Sequence, residues 1–198
     1  MGRGWSSFHA MKPSTERIEL LLDAWSAGDD GARDTLVELV YPHLKRMASG
    51  KLRGETVGHT LDTTALVHEA CLDLLSSDRP EWRGRAQFFA FLSTVMRRVL
   101  VDHARRRGAT KRGGDWGRVE LGDHLVGSDP DFGTILDLER ALARLAANAP
   151  RMAQVAECRI FGGMNDAQVA EALEVSERTA AREWQKGRAW LRVALEED

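Results

Sequence analysis

The segment DAQVAEALEVSERTAAREWQKGRAWL, residues 166–191, splits into two short periodic runs with a break between them. In the first run Val169, Ala170 and Leu173 share one helical face. Glu174-Val175 makes a tight turn, and Ser176 is a good N-cap for the second run. In that run Ala180, Trp184, Gly187 and Leu191 fall at i, i+4, i+7 and i+11 and face inward. Ser176 and Thr179 at its start, and Arg178, Ala181, Arg182, Gln185 and Lys186 along its other side, form a polar outer face. A short helix, a turn ending in an apolar residue and a Ser-capped second helix make the helix-turn-helix arrangement, and a small residue such as Ala170 lets the two helices cross closely. In that arrangement the outer face enters the DNA major groove, N-terminal residues nearest the base edges. The spacing alone equally fits an αα-hairpin with no role at DNA.

Upstream of this motif, helical periodicity resumes from about residue 135, with nine basic and six acidic side chains over 140–195. Before it the charge swings sharply. Residues 97–112 carry Arg97, Arg98, Arg105, Arg106, Arg107, Lys111 and Arg112 against Asp102 alone. Residues 113–139 reverse the sign, with Asp115, Glu120, Asp123, Asp129, Asp131, Asp137 and Glu139 against Arg118, and are rich in glycine. Glycine and like-charge repulsion predict a flexible acidic linker there. Such a linker works either as a solvated tether or as a nucleic-acid mimic.

The N-terminal part predicts four helices. The first, capped by Ser14, carries Ile18, Leu21, Leu22 and Trp25 and ends at Gly28-Asp29-Asp30-Gly31. The second runs from about Ala32 through Leu36, Leu39, Val40, Leu44 and Met47, with Pro42 expected to kink or interrupt it. The third spans about 62–75, burying Leu66, Val67, Ala70, Cys71 and Leu74 and exposing Ala65, His68, Glu69, Leu72 and Asp73. The fourth, about 86–107, buries Phe88, Leu92, Val95 and Val99, with Thr94, Arg97, Arg98, Val101 and Arg105 on another face. A helix that grows more basic toward its end suits a phosphate backbone, particularly after a loop holding Trp82, Arg83 and Arg85. The basic end also complements a helix dipole, and Phe88, Phe89 and Phe91 read first as core. An aromatic beside such a groove can also stack on an unpaired base.

Composition bounds these readings. With 198 residues, a net charge of −2, 43% hydrophobic and 29% charged side chains, the chain matches an ordinary soluble globular protein rather than a uniformly basic nucleic-acid coat. Cys71 and Cys158 are far apart and have no metal-ligand spacing, which fits a reducing cytoplasm. No apolar run reaches membrane-spanning length, and residues 1–12 lack the apolar stretch of a signal peptide. Met11 is a second candidate start. The expected organisation is all-α: a disordered tail over 1–13, a helical domain over 14–108, a flexible acidic linker over 109–134 and a second helical domain over 135–198.

The run FAFLSTVMRRVLVDHARRR, residues 89–107, resembles the promoter-melting and −10-reading helix of bacterial RNA polymerase sigma factors of the extracytoplasmic-function (ECF) group. TLDTTALVHEACLDLL, residues 60–75, resembles the preceding helix, which in that family grips the polymerase clamp. The helix-turn-helix resembles the domain that reads the −35 element, and His59-Thr60-Leu61 followed by 65–70 points to an ECF-like subgroup. The resemblance covers about residues 15–195 in the family's order, linker included. It implies a sigma region 2 bundle and a sigma region 4 domain, with core RNA polymerase and promoter DNA as partners. No covalent chemistry, cofactor or metal is implied. An anti-sigma factor or other inhibitory protein is a further partner such proteins often have, and no residue here identifies one.

By position, the resemblance places His68, Glu69, Leu72 and Asp73 at the polymerase and the loop 82–87 at a base flipped from the −10 strand. Trp82, Arg83, Arg85, Arg97, Arg98 and Arg105 then serve the opened strand. Ser176, Arg178, Thr179, Ala181, Arg182, Gln185 and Lys186 fall on the −35-reading face. The chain departs from the common pattern at Ala65 (usually an acid), Phe91 (usually tryptophan) and Arg98 (usually asparagine). Ala181 and Glu183 also stand where basic residues are frequent, which predicts fewer phosphate contacts and a shallower salt dependence. Two rivals stand beside this reading. A helix-turn-helix regulator that never binds polymerase needs only the C-terminal domain, and leaves the basic helix and the Glu69 face without a role. An enzyme would need a constellation from His59, His68, Glu69, Asp102 and His103, but no HExxH or paired-carboxylate spacing occurs, and Asp102 lies four residues from both Arg98 and Arg106 as in an ordinary helical ion pair.

Overall fold

The structure is a computed structural model that describes residues 15–51, 59–76, 83–110 and 135–197. Among the described residues the chain forms eight helices and no strand: α1 (Thr15–Ser26), α2 (Asp30–Lys51), α3 (His59–Ser76), α4 (Arg85–Thr110), α5 (Ile135–Asn148), α6 (Pro150–Ile160), α7 (Asp166–Ala172) and α8 (Glu177–Glu196). The all-α architecture expected from the sequence is the one observed. Ser14, the tail 1–13, Trp82 and the acidic stretch 111–134 lie outside the described residues.

The N-terminal bundle is built from α1 to α4. Ile18, Leu22 and Trp25 of α1 are buried on the side of α2 and α4, which add Leu36, Val40, Leu44, Phe88 and Leu92 to the core, and α3 adds Leu66 and Leu74 by packing on α2 and α4. The helix breaks reflect local chemistry. The Asp29 carboxylate accepts from the Gly31 and Ala32 amides at 2.8 and 3.2 Å, and so starts α2 two residues before the spacing predicted. Pro42 does not interrupt α2, which continues to Lys51. Pro42 is exposed while Val40 and Leu44 are buried, so packing on either side offsets the backbone hydrogen bond that proline cannot make.

The C-terminal bundle packs α5, α6 and α7 around α8, with Leu138, Leu142, Val155, Phe161, Val169, Ala180 and Leu191 at its centre. Pro150 in the first turn of α6 starts that helix without loss of a needed amide. A capping box starts α7: the Asn165 side chain accepts from the Gln168 amide, and the Gln168 side chain accepts from the Asn165 amide, both at 2.9 Å. Gly187 lets α8 lie close on α6, since a Cβ there would sit 3.1 Å from Met152 Cγ.

The two bundles are packed together. One side of α4 belongs to the N-terminal core, and the other contacts α5, α6 and α7. α4 is therefore enclosed on most of its circumference: Phe88, Leu92, Ser93, Val95, Met96, Val99, Leu100, Val101 and Ala104 are all buried.

Candidate nucleic-acid interface

Three surfaces carry the residues singled out by the sequence, and their surroundings differ. The first is the recognition face of α8. The Ser176 hydroxyl accepts from the Thr179 amide at 3.1 Å and so caps the helix, and Glu174 in the preceding turn takes the left-handed conformation with φ 54°. Behind it Ala180, Trp184, Gly187 and Leu191 are buried as the spacing predicts. The Arg159 guanidinium stacks on the Trp184 ring of α8 at 5.4 Å, donates to the Met164 carbonyl just before α7 at 2.8 Å and pairs with Asp166 of α7 at 3.5 Å, which ties α6 to both helices of the motif. In front, Arg178, Arg182, Gln185 and Lys186 are exposed, and Ala181 and Thr179 are half-buried.

Glu183 has a different place from the one its sequence position implied. Its side chain is only 12% exposed and pairs with Arg151 of α6 at 2.9 Å. It is a tie between helices, not a lost phosphate contact on the recognition face.

The second surface is the groove between α3 and α4. His68 and Leu72 are exposed, Leu72 at 63%, and Glu69 and Asp73 are half-buried beside them. Both acids are joined to α4: Arg98 meets Asp73 at 2.6 Å, and Arg106 meets Glu69 at 2.7 Å. The hydrogen bond and charge of Glu69 raise the Arg106 pKa above its ordinary value. These pairs bracket a cavity of about 270 Å³ lined also by Val99 and Asp102. Asp102 itself pairs with Arg105 at 3.4 Å, whereas Arg98 turns to α3 rather than to Asp102.

The third surface is the remaining face of α4. Arg97, placed by resemblance on the opened strand, is 21% exposed and lies between two carboxylates of the C-terminal bundle, Glu139 at 2.7 Å and Glu157 at 2.5 Å. Burial alone would lower its pKa, but the hydrogen bonds and charges of Glu139 and Glu157 outweigh that and raise it. Val101 is buried there as well, whereas Thr94 and Arg98 on the same face are exposed. Arg105 stays exposed. At the N-terminal end Arg85 and Gln87 belong to the first turn of α4, not to the preceding loop. The Arg85 guanidinium lies over the Phe89 ring at 5.0 Å, beside the His43 ring that meets Phe89 edge-on at 4.7 Å. Burial, then the charges of Arg46 and Arg85, push the His43 pKa down to about 4. Arg83 reaches Glu174 of the helix-turn-helix at 3.7 Å.

Glu139 and Glu157 are the residues that sequence reasoning missed. Glu139 closes the acid-rich stretch 113–139 of the sequence but lies on α5. Glu157 carried a signal, being a lone acid between Ala156 and Cys158, both of which are buried. Cys71 and Cys158 are free and buried. Burial, and then the charge of Glu157, push the Cys158 thiol up to about 12.

The family model for the ECF sigma factor matches residues 15–197. The chain belongs to the ECF sigma factor family. No curated protein matches it. Family membership makes this chain a transcription initiation factor whose partners are core RNA polymerase and promoter DNA. In chain order α1 to α4 precede the α7–α8 pair. Among the described residues no helix is long and apolar enough to cross a membrane, and no group of three His, Cys, Asp or Glu side chains is placed to hold a metal.

Proposed function

We propose that this sigma factor binds the polymerase clamp through His68, Glu69, Leu72 and Asp73 and reads the −35 element with Ser176, Arg178, Thr179, Ala181, Arg182, Gln185 and Lys186. Arg83, Arg85, Arg97, Arg98 and Arg105, together with Trp82, which precedes α4 in the sequence, serve the −10 strand. The N-terminal domain, 14–108, carries the polymerase and −10 functions, and the domain 135–198 carries the −35 function. The work is binding and strand capture: unstacking a base costs a few kcal/mol, which stacking and phosphate contacts offset. It takes place where core polymerase and DNA are, in the cytoplasm.

The observation that supports this most is the Ser176-capped α8, whose cationic and amide side chains Arg178, Arg182, Gln185 and Lys186 stand exposed along one face of a rigidly packed helix. The exposed Leu72 between Glu69 and Asp73 adds an apolar anchor within a charged rim, the composition of a protein-docking surface. The test is transcription by bacterial core polymerase on sheared genomic DNA of the source organism, with and without the protein. Protein-dependent transcripts sharing upstream elements support the reading. Failure to give transcripts and to co-elute with core polymerase would leave a helix-turn-helix regulator that acts without polymerase.

A further inference from the structure

The contact between α4 and the C-terminal bundle tracks the basic helix from Gln87 to Arg97, about 15 Å of helix length at 1.5 Å per residue. At its start Gln87 and Arg83 reach Glu174, which sits in the turn of the helix-turn-helix. In the middle, Ser93 is fully buried with its hydroxyl 4.0 Å from Met164 Sδ. A Cβ on Gly162 would fall 2.1 Å from Ser93 Oγ, so the two bundles approach here as closely as a glycine permits. At the far end Thr94 donates to Glu157, and Arg97 donates to Glu157 and Glu139 together. A guanidinium held by two carboxylates has the geometry it would have on phosphate oxygens, because both groups offer anionic acceptors to the same fork of donors.

We propose that the C-terminal domain is a built-in cover for part of the strand-binding face of α4, with Glu139 and Glu157 standing in for DNA phosphates on Arg97 while Arg98 and Arg105 stay exposed. This rests on the assignment of α4 to the −10 strand. Strand and carboxylates compete for one cation, so the domains must separate before Arg97 can meet DNA. The cover is one-sided: Arg178, Arg182, Gln185 and Lys186 of α8 remain exposed in the same closed arrangement. In the free sigma factor Arg97 is thus masked, while Arg83, Arg98 and Arg105 and the −35 face stay exposed.

Two openings of the full-length chain test this. E139Q/E157Q removes the carboxylates and leaves Arg97 intact, and E196Q/E197Q at the end of α8 is the control with the same loss of charge. S93E puts a carboxylate into the tight part of the contact, where added negative charge by itself would weaken DNA binding. Solution X-ray scattering reads the separation of the domains, and fluorescence anisotropy with a labelled single-stranded 20-mer of mixed sequence reads access to α4. The wild type should be compact and both opened variants more extended, each binding the oligonucleotide about five- to tenfold more tightly than the control, a usual size for coupling between two states. A wild type already as extended as the variants overturns the proposal, as does opening without a gain in affinity, or a compact variant with none. Co-elution of the wild type with core polymerase is scored separately. If it holds while the opened variants gain nothing, the cover alone fails. If wild type and variants neither co-elute nor bind the oligonucleotide, the assignment of α4 fails first.

Discussion

α4 and α8 both present arginines suited to DNA, yet α4 has one of them, Arg97, covered, while Arg178 and Arg182 of α8 are bare. Arg97 is 21% exposed and held by two carboxylates, while Arg178 and Arg182 are open to solvent. The difference does not come from local sequence, since each helix has an apolar stripe and a polar stripe. It comes from what the chain brings against the polar stripe. α8 turns its inward face to α5, α6 and α7 and leaves the other free, whereas α4 is sandwiched between its own bundle and the neighbouring one. A cationic face is thus evidence of what a helix can bind, and its neighbours decide when.

The comparison can be broken most severely at the shared support of α4. Phe88 is fully buried in the N-terminal core. F88A should cost about 3–5 kcal/mol, the usual penalty for emptying an aromatic site. Chemical denaturation should show that loss in the N-terminal helices. If α8 then unfolds in the same transition, the two bundles are one cooperative unit rather than two.

Acid should also act on one side of the comparison. All six histidines precede residue 135. His43, with its pKa lowered to about 4 from 6.5, stays neutral in the folded bundle while the unfolded chain takes up a proton. Its contribution is therefore fully present above pH 6.5 and is lost as pH falls toward 4. By linkage the loss amounts to roughly 3 kcal/mol over that interval. H43F, which keeps a ring against Phe89, should flatten the decline in unfolding free energy between these pH values. An unchanged slope would place the acid sensitivity elsewhere.

Smaller effects sharpen the contrast. S176A removes the cap of α8 and should cost about 1 kcal/mol in thermal or denaturant unfolding. Weakened binding to double-stranded DNA should accompany it, because the first turn of α8 carries Arg178. On the free protein, R182A should lower the slope of log affinity against log salt by about one for duplex DNA, as loss of one phosphate contact does. R97A should leave that slope unchanged, because Glu139 and Glu157 already occupy the guanidinium. An equal fall for both variants would show that the two faces are open alike.

Much of this molecule was legible from residue spacing. The stripes of α4 and α8, the Ser176 cap, the buried Leu66, Val67, Ala70, Cys71 and Leu74 of α3 and the start of α5 all rest on contacts within one helix and its first turn. Such contacts have a fixed period, so sequence alone determines them. So too was the family, because the order of motifs is a property of the chain. Tertiary structure decided the rest. It carried α2 through Pro42 by burying Val40 and Leu44, took Glu183 off the recognition face to Arg151, and joined Glu69 and Asp73 to Arg106 and Arg98. It also set Glu139 and Glu157 on Arg97, residues 42 and 60 positions away in the chain. Ion pairs of that separation have no period and no local signature. Whether a charged side chain meets water, DNA or another side chain depends on the packing of whole helices, which only the folded chain specifies.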